Sequence, residues 1–488
     1  MTSPVDFVAT RRTKIICTIG PATARLIRAL AMAGMDVARI NFSHGTPASH
    51  AAAARAVRRL SGTGDRPLGI LTDLAGPKIR LGTLAGGSVE LQAGQPFILR
   101  AAGRGAAAGD ASGARVSYRR MAVDMEVGDP IFLADGAAQL RVSGTDEQGG
   151  TRTEVVRGGT IRSGAGVAVP AGRLSSPALT ARDRADIPRA ISMGTTYVGQ
   201  SFVRGATDVA ELRHLLGTDG PRIVAKIETR PAVDSFDAIL EVTDAVMIAR
   251  GDLGVEMPYE QVPIIQKQLV GRALERGIPT IVATQMLESM ITAPRPTRAE
   301  ASDVANAVFD GADAIMLSAE TAIGAYPVEA VATAARIASM CEVQGADFLA
   351  GGMAHPPPTD TGALAYAAVT LTAAQIGIAA IACYTRTGRT ARILSSLRPR
   401  VPIIAFTPDP GVVSRLALIN GVVPRLSVVI DESDRLGRIN RLVGEARLVG
   451  DGATVVLVSS TATPGSSPDL LGVQRVVVAD EPSDGRSG

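Results

Sequence analysis

Short apolar runs alternate with longer segments of helical periodicity over roughly the first 330 residues of the chain. Each run is rich in β-branched or other apolar residues and is followed by a helix-like stretch. The eight runs occupy residues 13–20, 35–43, 68–76, 195–203, 222–228, 245–252, 279–285 and 314–320. Eight strand–helix units imply parallel pairing, and their number predicts a closed (β/α)8 TIM barrel. The pairs Thr180–Asp183 and Thr297–Glu300 have the spacing of capping boxes at helix starts.

The third and fourth runs are separated by more chain than one helix needs. Residues 81–169 are glycine-rich and strand-like, which predicts an inserted small all-β lid domain over the catalytic face. Beyond a Gly/Pro-rich linker, four further apolar runs with helices between them predict an open α/β domain. These runs are 378–385, 402–407, 453–460 and 474–480. The predicted domains are 1–80 (barrel, first part), 81–169 (lid), 170–345 (barrel, second part) and 346–488 (C-terminal α/β effector-type domain).

Composition narrows the class of protein. The chain has 488 residues, 46% apolar and 20% charged, which is typical of a globular protein of several domains. A net charge of +3 and an aromatic content of 3% give no sign of a surface that binds nucleic acid. No apolar run reaches the roughly 18 residues of a membrane span. The start resembles no signal peptide and the three cysteines are scattered, so we expect a cytoplasmic protein.

Polar residues lie at or just after the ends of six of the eight predicted strands. They are Arg39, Asn41, Ser43, His44, Asp73, Lys226, Glu228, Arg250, Asp252, Thr284, Gln285, Ser318 and Glu320. The carboxyl ends of parallel barrel strands share one face, where barrel enzymes have their active sites. We therefore expect an active site rather than isolated turns. Lysine is rare, since only Lys14, Lys78, Lys226 and Lys267 are present, so a lysine at a strand end suggests a required ammonium group.

The residue types indicate a reaction class. Glu228 and Asp252 offer the hard oxygen ligands that Mg2+ or Mn2+ prefers, although each could instead pair with an arginine. The segment after Asp252 is expected to open a helix whose N-terminus can hold a carboxylate or phosphate. Lys226, Arg39 and Arg80 supply positive charge for a phosphoryl group or an enolate. No GxxxxGK[ST] loop is present, so side chains, metal and lid would have to hold nucleotide phosphates.

Several segments together resemble the signature segments of pyruvate kinase, in the family's order. They include CTIGPAT, AGMDVARINFSHG, DLAGPKIRLG, AKIETR, ARGDLGVE, ATQMLESMITAPRPTRAEASDVANAV and MLSAETAIGAYP. The resemblance implies phosphoryl transfer from phosphoenolpyruvate to ADP, giving pyruvate and ATP in glycolysis. It also implies a divalent cation, Mg2+ or Mn2+, and a homotetramer, with neither a nucleic acid nor a membrane as partner.

The resemblance implies roles for individual residues. Glu228 and Asp252 would bind the metal, Lys226 and Arg39 the transferring phosphoryl group, and Gly251 with Asp252 the substrate carboxylate. Thr284 would lie where the proton arrives, with Ser318 and Glu320 behind it. The nucleotide would contact Pro21, Asn41, His44 and Arg80.

Two departures from the family pattern carry predictions. Many members need K+, in a site to which Asn41, Ser43, Asp73 and a threonine contribute. Here Leu74 replaces that threonine and Lys78 replaces a glutamate, so the ammonium could supply the charge of K+. The resemblance is thus to K+-independent pyruvate kinases. In the lid, Ala165 stands in place of a lysine, which predicts weaker ADP binding; Ala319 and Thr229 also differ from commoner residues.

The C-terminal domain contains a candidate effector loop, similar to that of the family, at Thr385, Arg386, Thr387, Gly388, Arg389 and Thr390. Its glycine, hydroxyls and arginines suit a phosphorylated allosteric effector, although an ordinary helix-capping turn has the same composition. Two other functions stay open on the residues alone. One is a metal-dependent barrel lyase of the phosphoenolpyruvate/pyruvate type, and the other is a non-catalytic sensor with this fold.

Overall fold

The structure of the chain is a computed structural model. It describes residues 11–63, 67–103, 107–134, 136–349, 351–352, 356–374, 377–427, 435–459 and 470–476. The fold consists of two compact units. The first unit is Met1–Thr72, Ser192–Tyr197 and Val270–Gly488, and the second is Asp73–Ile191 and Val198–Leu269. These limits differ from the predicted domain boundaries, which stay a prediction.

The chain begins with barrel elements. These are β1 (Lys14–Thr18), α1 (Ile27–Ala33), β2 (Val37–Asn41), α2 (Pro47–Thr63) and β3 (Gly69–Asp73). Every residue of β1 and β3 is buried. Burial of both faces is characteristic of parallel barrel strands, and it explains why these segments read as continuous apolar runs rather than alternating ones.

The inserted segment follows. Its strands are β4 (Ile79–Arg80), β5 (Ser88–Leu91), β6 (Pro96–Ala101), β7 (Gly113–Val116), β8 (Pro130–Leu133), β9 (Ala138–Thr145), β10 (Thr151–Arg157), β11 (Gly159–Arg162) and β12 (Gly166–Ala168), with one short helix, α3 (Met121–Asp124). Seven strands form a sheet of order β4-β12-β8-β9-β10-β6-β7, and β11 pairs with β5. Its own core includes Phe97, Leu99, Ile131 and Leu140. The all-β prediction for this segment is confirmed, apart from one helical turn.

The barrel then resumes. Its strands are β13 (Tyr197–Gln200), β14 (Arg222–Ile227), β15 (Ala245–Ala249), β16 (Thr280–Ala283) and β17 (Ala314–Leu317). Its helices are α4 (Ala181–Ser192), α5 (Ala206–Leu216), α6 (Arg230–Asp234), α7 (Phe236–Leu240), α8 (Arg250–Glu256), α9 (Val262–Glu275), α10 (Arg298–Phe309), α11 (Ala319–Ala322) and α12 (Pro327–Val343). The strands close in the order β1-β17-β16-β15-β14-β13-β3-β2, which confirms the predicted barrel.

Both predicted capping boxes are present. Thr297 accepts a hydrogen bond from the Glu300 backbone and Glu300 accepts one from Thr297, at the start of α10. Thr180 Oγ1 accepts from Asp183 N at 3.1 Å, and Asp183 Oδ2 accepts from Thr180 N at 2.9 Å, at the start of α4. Each box satisfies backbone donors that have no partner inside the helix.

The C-terminal elements are α13 (Asp360–Ala374), β18 (Ile378–Tyr384), α14 (Arg389–Ser396), β19 (Ile403–Thr407), α15 (Pro410–Leu416), β20 (Val422–Leu426), α16 (Arg435–Glu445), β21 (Thr454–Ser459) and β22 (Leu470–Arg475). The sheet order is β20-β19-β18-β21-β22, with β22 antiparallel to β21. Strand β20 was not predicted. It contains Pro424, which removes a backbone donor, and it lies at the sheet edge where such a residue is tolerated. Of the predicted strand 474–480, residues 477–480 lie outside the described residues.

Within the first unit, the C-terminal sheet bonds directly to barrel elements. Lys14 Nζ donates to Val422 O at 2.8 Å, and Arg398 Nη2 lies 3.0 Å from Asp313 Oδ2. Lys14 is thus buried and structural, rather than a lysine of no particular role. In the described part of the chain, no helix has the length and apolar character needed to cross a membrane.

Candidate active site

Lys226 is the centre of a polar cluster in the second unit. It is the penultimate residue of β14 and its side chain is largely buried; its Nζ donates to Ser201 Oγ at 2.7 Å. The same nitrogen lies 3.2 Å from Glu228 Oε2 and 3.6 Å from Asp73 Oδ2. Three oxygen atoms from three strand ends therefore fix the position of the ammonium group. Gly199 leaves room for the Asp73 carboxylate in this cluster, because a Cβ atom at position 199 would overlap Asp73 Oδ1.

Glu228 is almost fully buried, and its two oxygens differ. Oε1 accepts a hydrogen bond from Phe202 N at 2.7 Å. Oε2 has Lys226 as an ionic neighbour but, within the described residues, no hydrogen-bond donor. Burial raises the pKa of Glu228; the Lys226 ammonium opposes the shift, and the Asp252 carboxylate adds to it. An additional cation would relieve this accumulation of buried negative charge.

Asp252 lies in the first turn of α8, which begins at Arg250 rather than after Asp252 as predicted. Glu228, Asp252 and Glu256 line one cavity of about 50 Å³, together with Lys78 and the inserted strand β12. At roughly 10–15 Å³ per water, such a cavity holds a small hydrated ion. Among the described residues, no cluster of three or more His, Cys, Asp and Glu side chains is arranged around a metal. The residues present therefore fit a divalent cation held by two carboxylates, with the other positions open to substrate or water.

Glu256, absent from the predicted site, contacts two other segments. Its Oε1 and Oε2 lie 3.0 and 3.3 Å from Ala171 N, where the chain returns from the inserted sheet. The backbone N–H of Arg230 also donates to it. Burial raises the pKa of Glu256 to about 7, in part because Asp252 is near and in spite of these two donors.

Arg39 belongs to the first unit. It is 8% exposed, and its Nη1 donates to Thr18 Oγ1 at 3.0 Å. Thr18 Oγ1 in turn donates to Leu317 O at 3.0 Å, so the arginine is held where β1, β2 and β17 end. Asn41 Oδ1 accepts from Ser43 N at 3.0 Å in the turn after β2. His44 is exposed in that turn, and its carbonyl bonds to the His50 ring at 2.7 Å.

Thr284 and Gln285 follow β16 with φ values of 70° and 54°. A β-branched residue in the left-handed region is strained, and such strain is concentrated at functional sites. Glu320 supports the same loop, because its Oε1 accepts from Leu287 N at 3.1 Å and its Oε2 from Ser318 N at 2.6 Å. These contacts make Glu320 a positioning group for the loop that carries Thr284.

The remaining candidates make few contacts with these side chains, apart from Lys78, which lines the cavity of Glu228 and Asp252. Pro21 is exposed in the turn after β1. In the second unit, Arg80 Nη1 donates to Gly164 O at 3.2 Å, while Lys78 is exposed and Leu74 is buried. In the first unit, Gly388 N donates to Thr385 Oγ1 at 3.0 Å, and Arg386, Thr387 and Arg389 are exposed before α14. Thr390 is buried.

Three groups were missed by the sequence analysis: Ser201, the Phe202 amide and Glu256. Ser201 directly follows β13, so the strand-end rule would have found it had it been applied to the fourth strand as well. Glu256 is four residues after Asp252, which places both on one helical face. Nothing in the sequence points to the Phe202 amide. Thr229 also has a role, because it caps α6 and donates to Val203 O at 2.8 Å.

A closed parallel barrel with a strand-end lysine, two carboxylates suited to a metal and an inserted β unit defines an enzyme that stabilises developing negative charge on oxygen. Comparison with known proteins specifies the family. The chain matches the family described as pyruvate kinase, barrel domain, over residues 10–331 and pyruvate kinase, alpha/beta domain, over residues 362–473.

Relatives and a solved structure agree with this match. The chain is 41% identical to pyruvate kinase of Mycobacterium tuberculosis (strain H37Rv) over 474 residues, 96% of this chain and 99% of that protein. It is 42% identical to pyruvate kinase of Geobacillus stearothermophilus over 434 residues, 87% and 73% of the two chains. A crystal structure of a pyruvate kinase from Cryptosporidium parvum superposes with a TM-score of 0.85 at 32% identity, covering 96% and 97%.

The chain belongs to the pyruvate kinase family. Its activity is phosphoryl transfer from phosphoenolpyruvate to ADP, which yields pyruvate and ATP in glycolysis. The curated pyruvate kinase relatives support this activity over the barrel lyase and the non-catalytic sensor. The family generally needs a divalent metal, in agreement with the paired carboxylates.

Proposed function

We propose that the transfer is carried out by the strand-end residues predicted from sequence, with Lys226 at its centre. The observation that supports this most directly is the ammonium group of Lys226, which has three oxygen neighbours on rigid strand ends. In the reaction the bond between phosphorus and the enol oxygen of phosphoenolpyruvate breaks, and an oxygen of the ADP β-phosphate binds the phosphorus. Negative charge then develops on the enol oxygen, and a fixed cation nearby stabilises it.

Glu228 and Asp252 would hold Mg2+ or Mn2+. When bound, this ion neutralises charge on substrate oxygens as a Lewis acid. Arg39 would bind the phosphoryl group, and Gly251 with Asp252 at the start of α8 the substrate carboxylate. Thr284 would lie on the path of the proton that reaches the enolate carbon and completes pyruvate. Ser318 and Glu320 would keep its loop in place.

Pro21, Asn41, His44 and Arg80 would contact the nucleotide. The inserted β domain would act as the lid over it, and we expect the absence of a lysine at Ala165 to raise the ADP concentration required. By resemblance we also propose a homotetramer in the cytoplasm and a phosphorylated effector at the loop Thr385–Thr390.

Lys78 would make K+ unnecessary. It lines the same cavity as Glu228 and Asp252, and it makes no ion pair with any residue that the structure describes. Leu74 is buried and has no side-chain oxygen for a cation. An ammonium group is a compact monovalent cation, so its charge can replace that of K+.

The test compares turnover in Na+ and K+ buffers for the wild type and for Lys78→Glu. We expect the wild type to be equally active in both buffers and the variant to gain a stimulation by K+. The matched control is Lys267→Glu, which makes the same charge change on exposed α9. A large K+ stimulation of the wild type would refute the role of Lys78 and leave the kinase activity intact.

A further inference from the structure

We propose that Glu256 is a positioning residue that joins the metal-binding helix α8 to the return segment of the lid. The proposal rests on the proposed roles of Asp252 as a metal ligand and of the inserted domain as a lid. Glu256 would link occupation of the metal site to the position of the lid. None of the sequence motifs assigns it a role.

The contacts of Glu256 connect three segments of the second unit. Its carboxylate lies 3.0 and 3.3 Å from Ala171 N, two residues after Val169 at the end of the lid. It also accepts from the backbone N–H of Arg230, two residues after Glu228. The residue itself ends α8, one turn after Asp252. Glu256, on the helix that carries Asp252, is thus hydrogen-bonded to the segment that follows Glu228 and to the segment that follows the lid strand β12.

The surroundings argue against an ordinary surface carboxylate. Asp252 and Glu256 are four residues apart on one helix, where like charges repel. Within the described residues, Glu256 forms no ion pair with an arginine, lysine or histidine, and its hydrogen-bond donors are backbone amides. A partly buried anion next to another anion is unfavourable unless its hydrogen bonds are needed. We infer that those bonds hold the chain segments in place.

A role as a third metal ligand fits less well. No cluster of three such ligands is found in the part of the chain that the structure describes. The Glu256 oxygens are directed to two amide donors instead. Groups that orient a metal ligand typically change metal affinity by about 10- to 100-fold when they are removed. Glu256 would act on Asp252 in this indirect way.

The experiment uses Glu256→Ala and Glu256→Gln in the full chain, with Glu260→Gln as a control on an exposed residue nearby. Steady-state kinetics give kcat, the KM for ADP and the Mg2+ concentration for half-maximal rate. We expect Glu256→Ala to raise the ADP KM and the Mg2+ requirement about 10-fold each, with a smaller change in kcat. Glu256→Gln retains one acceptor oxygen and should lie between Glu256→Ala and the wild type.

Hydrogen–deuterium exchange provides an independent measurement. Peptides that include Ala171 and Arg230 should exchange faster in both Glu256 variants and not in Glu260→Gln. Unchanged exchange, or a loss of kcat with unchanged ADP and Mg2+ requirements, would overturn the proposal. If Glu256→Ala does not fold, the same comparison is made with Glu256→Gln. In parallel, Glu228→Gln tests the metal site itself: an unaltered Mg2+ requirement in that variant would refute the proposed ligands, independently of the exchange data.

Discussion

At the residue scale, the proposed role of Lys226 depends on how firmly its ammonium group is held. A flexible lysine side chain loses conformational entropy when it binds a reacting group, and preorganisation removes that cost. Here Ser201 Oγ, Glu228 Oε2 and Asp73 Oδ2 lie within 2.7 to 3.6 Å of Nζ. Ser201 is itself fixed, since its hydroxyl donates to Leu74 O at 2.8 Å. The cation is therefore in place before substrate arrives.

Replacing Lys226 with methionine keeps an unbranched side chain, one heavy atom shorter, and removes the charge. We expect kcat to fall about 10²- to 10³-fold or more, because a preorganised group that stabilises transition-state charge is lost. Binding of phosphoenolpyruvate should weaken much less. Lys267→Met, on an exposed position of α9, should leave the rate unchanged. A fully active Lys226→Met protein would show that the strand-end cluster does not carry the reaction.

Glu320 predicts a pH dependence of stability. Burial raises the pKa of its carboxyl above the ordinary value of 4.5, although three backbone donors oppose the shift. The folded state then binds the proton more tightly than the unfolded state, so this group's contribution to stability falls as pH rises through and above 4.5. In Glu320→Gln this contribution is absent. The melting temperature of the wild type relative to the variant should thus decrease as pH rises, and a difference that grows with pH would contradict the assignment.

Residue types at strand ends made much of this site predictable. Lys226 lies at the end of β14, Glu228 and Asp252 follow strands, and the three carry the charges that metal and phosphate chemistry needs. The Phe202 amide was not predictable, because a backbone donor has no sequence signature. The φ of 55° at Phe202, which is part of this turn, also depends on tertiary packing rather than on local preference.

At the element scale, the lid strand β12 connects the inserted domain to the barrel. It pairs antiparallel with β4 in the register Gly166–Arg80 and Val167–Ile79, so Lys78 is opposite Ala168. Ala165 precedes β12, and its carbonyl accepts from Leu81 N at 2.9 Å. Its side chain is partly buried against the core of the inserted domain. The backbone of this segment is therefore fixed independently of the side chain at position 165.

Ala165→Lys should restore a cation near the proposed nucleotide site. The lysine stem can cover the apolar surface that Ala165 contacts while the ammonium extends to solvent. A charge-assisted bond to phosphate is worth roughly 1.5–3 kcal/mol, so we expect the KM for ADP to fall by about 10-fold with little change in the KM for phosphoenolpyruvate. Ala165→Met controls for side-chain size. An ADP dependence that is the same in all three proteins would exclude a nucleotide-binding role for this position.

Elements with a clear hydrophobic pattern were predictable from the sequence, and elements whose position depends on tertiary packing were not. All eight barrel strands fall within the predicted runs, because buried parallel strands are continuously apolar. Strand β20 was missed because a proline such as Pro424 argues against a strand when only the sequence is read. Pro424 is compatible with the sheet because β20 is an edge strand. The start of α8 was misplaced by three residues, because helix boundaries are specified less strongly by sequence than the helix itself.

At the scale of the whole molecule, the candidate catalytic residues and a stabilising contact lie at opposite ends of barrel strands. Candidate active-site residues follow the carboxyl ends of barrel strands. Lys14, whose side chain bonds to Val422 O, is instead the first residue of β1 and lies at the amino end of this strand. In barrel enzymes the carboxyl-end face carries catalysis and the opposite face contributes to stability. A rare lysine is therefore structural at the amino end of β1, whereas the one near the carboxyl end of β14 is the proposed catalytic lysine, a distinction that composition alone did not show.

The most direct test of the account measures pyruvate and ATP together, from phosphoenolpyruvate with Mg2+, in the presence and absence of ADP. We expect equal amounts of pyruvate and ATP, no pyruvate without ADP, and loss of both products in Glu228→Gln. Pyruvate formed without ADP would indicate cleavage without phosphoryl transfer to a nucleotide. If phosphoenolpyruvate and metal bound but no product formed under any of these conditions, the phosphotransferase account of this site would be contradicted.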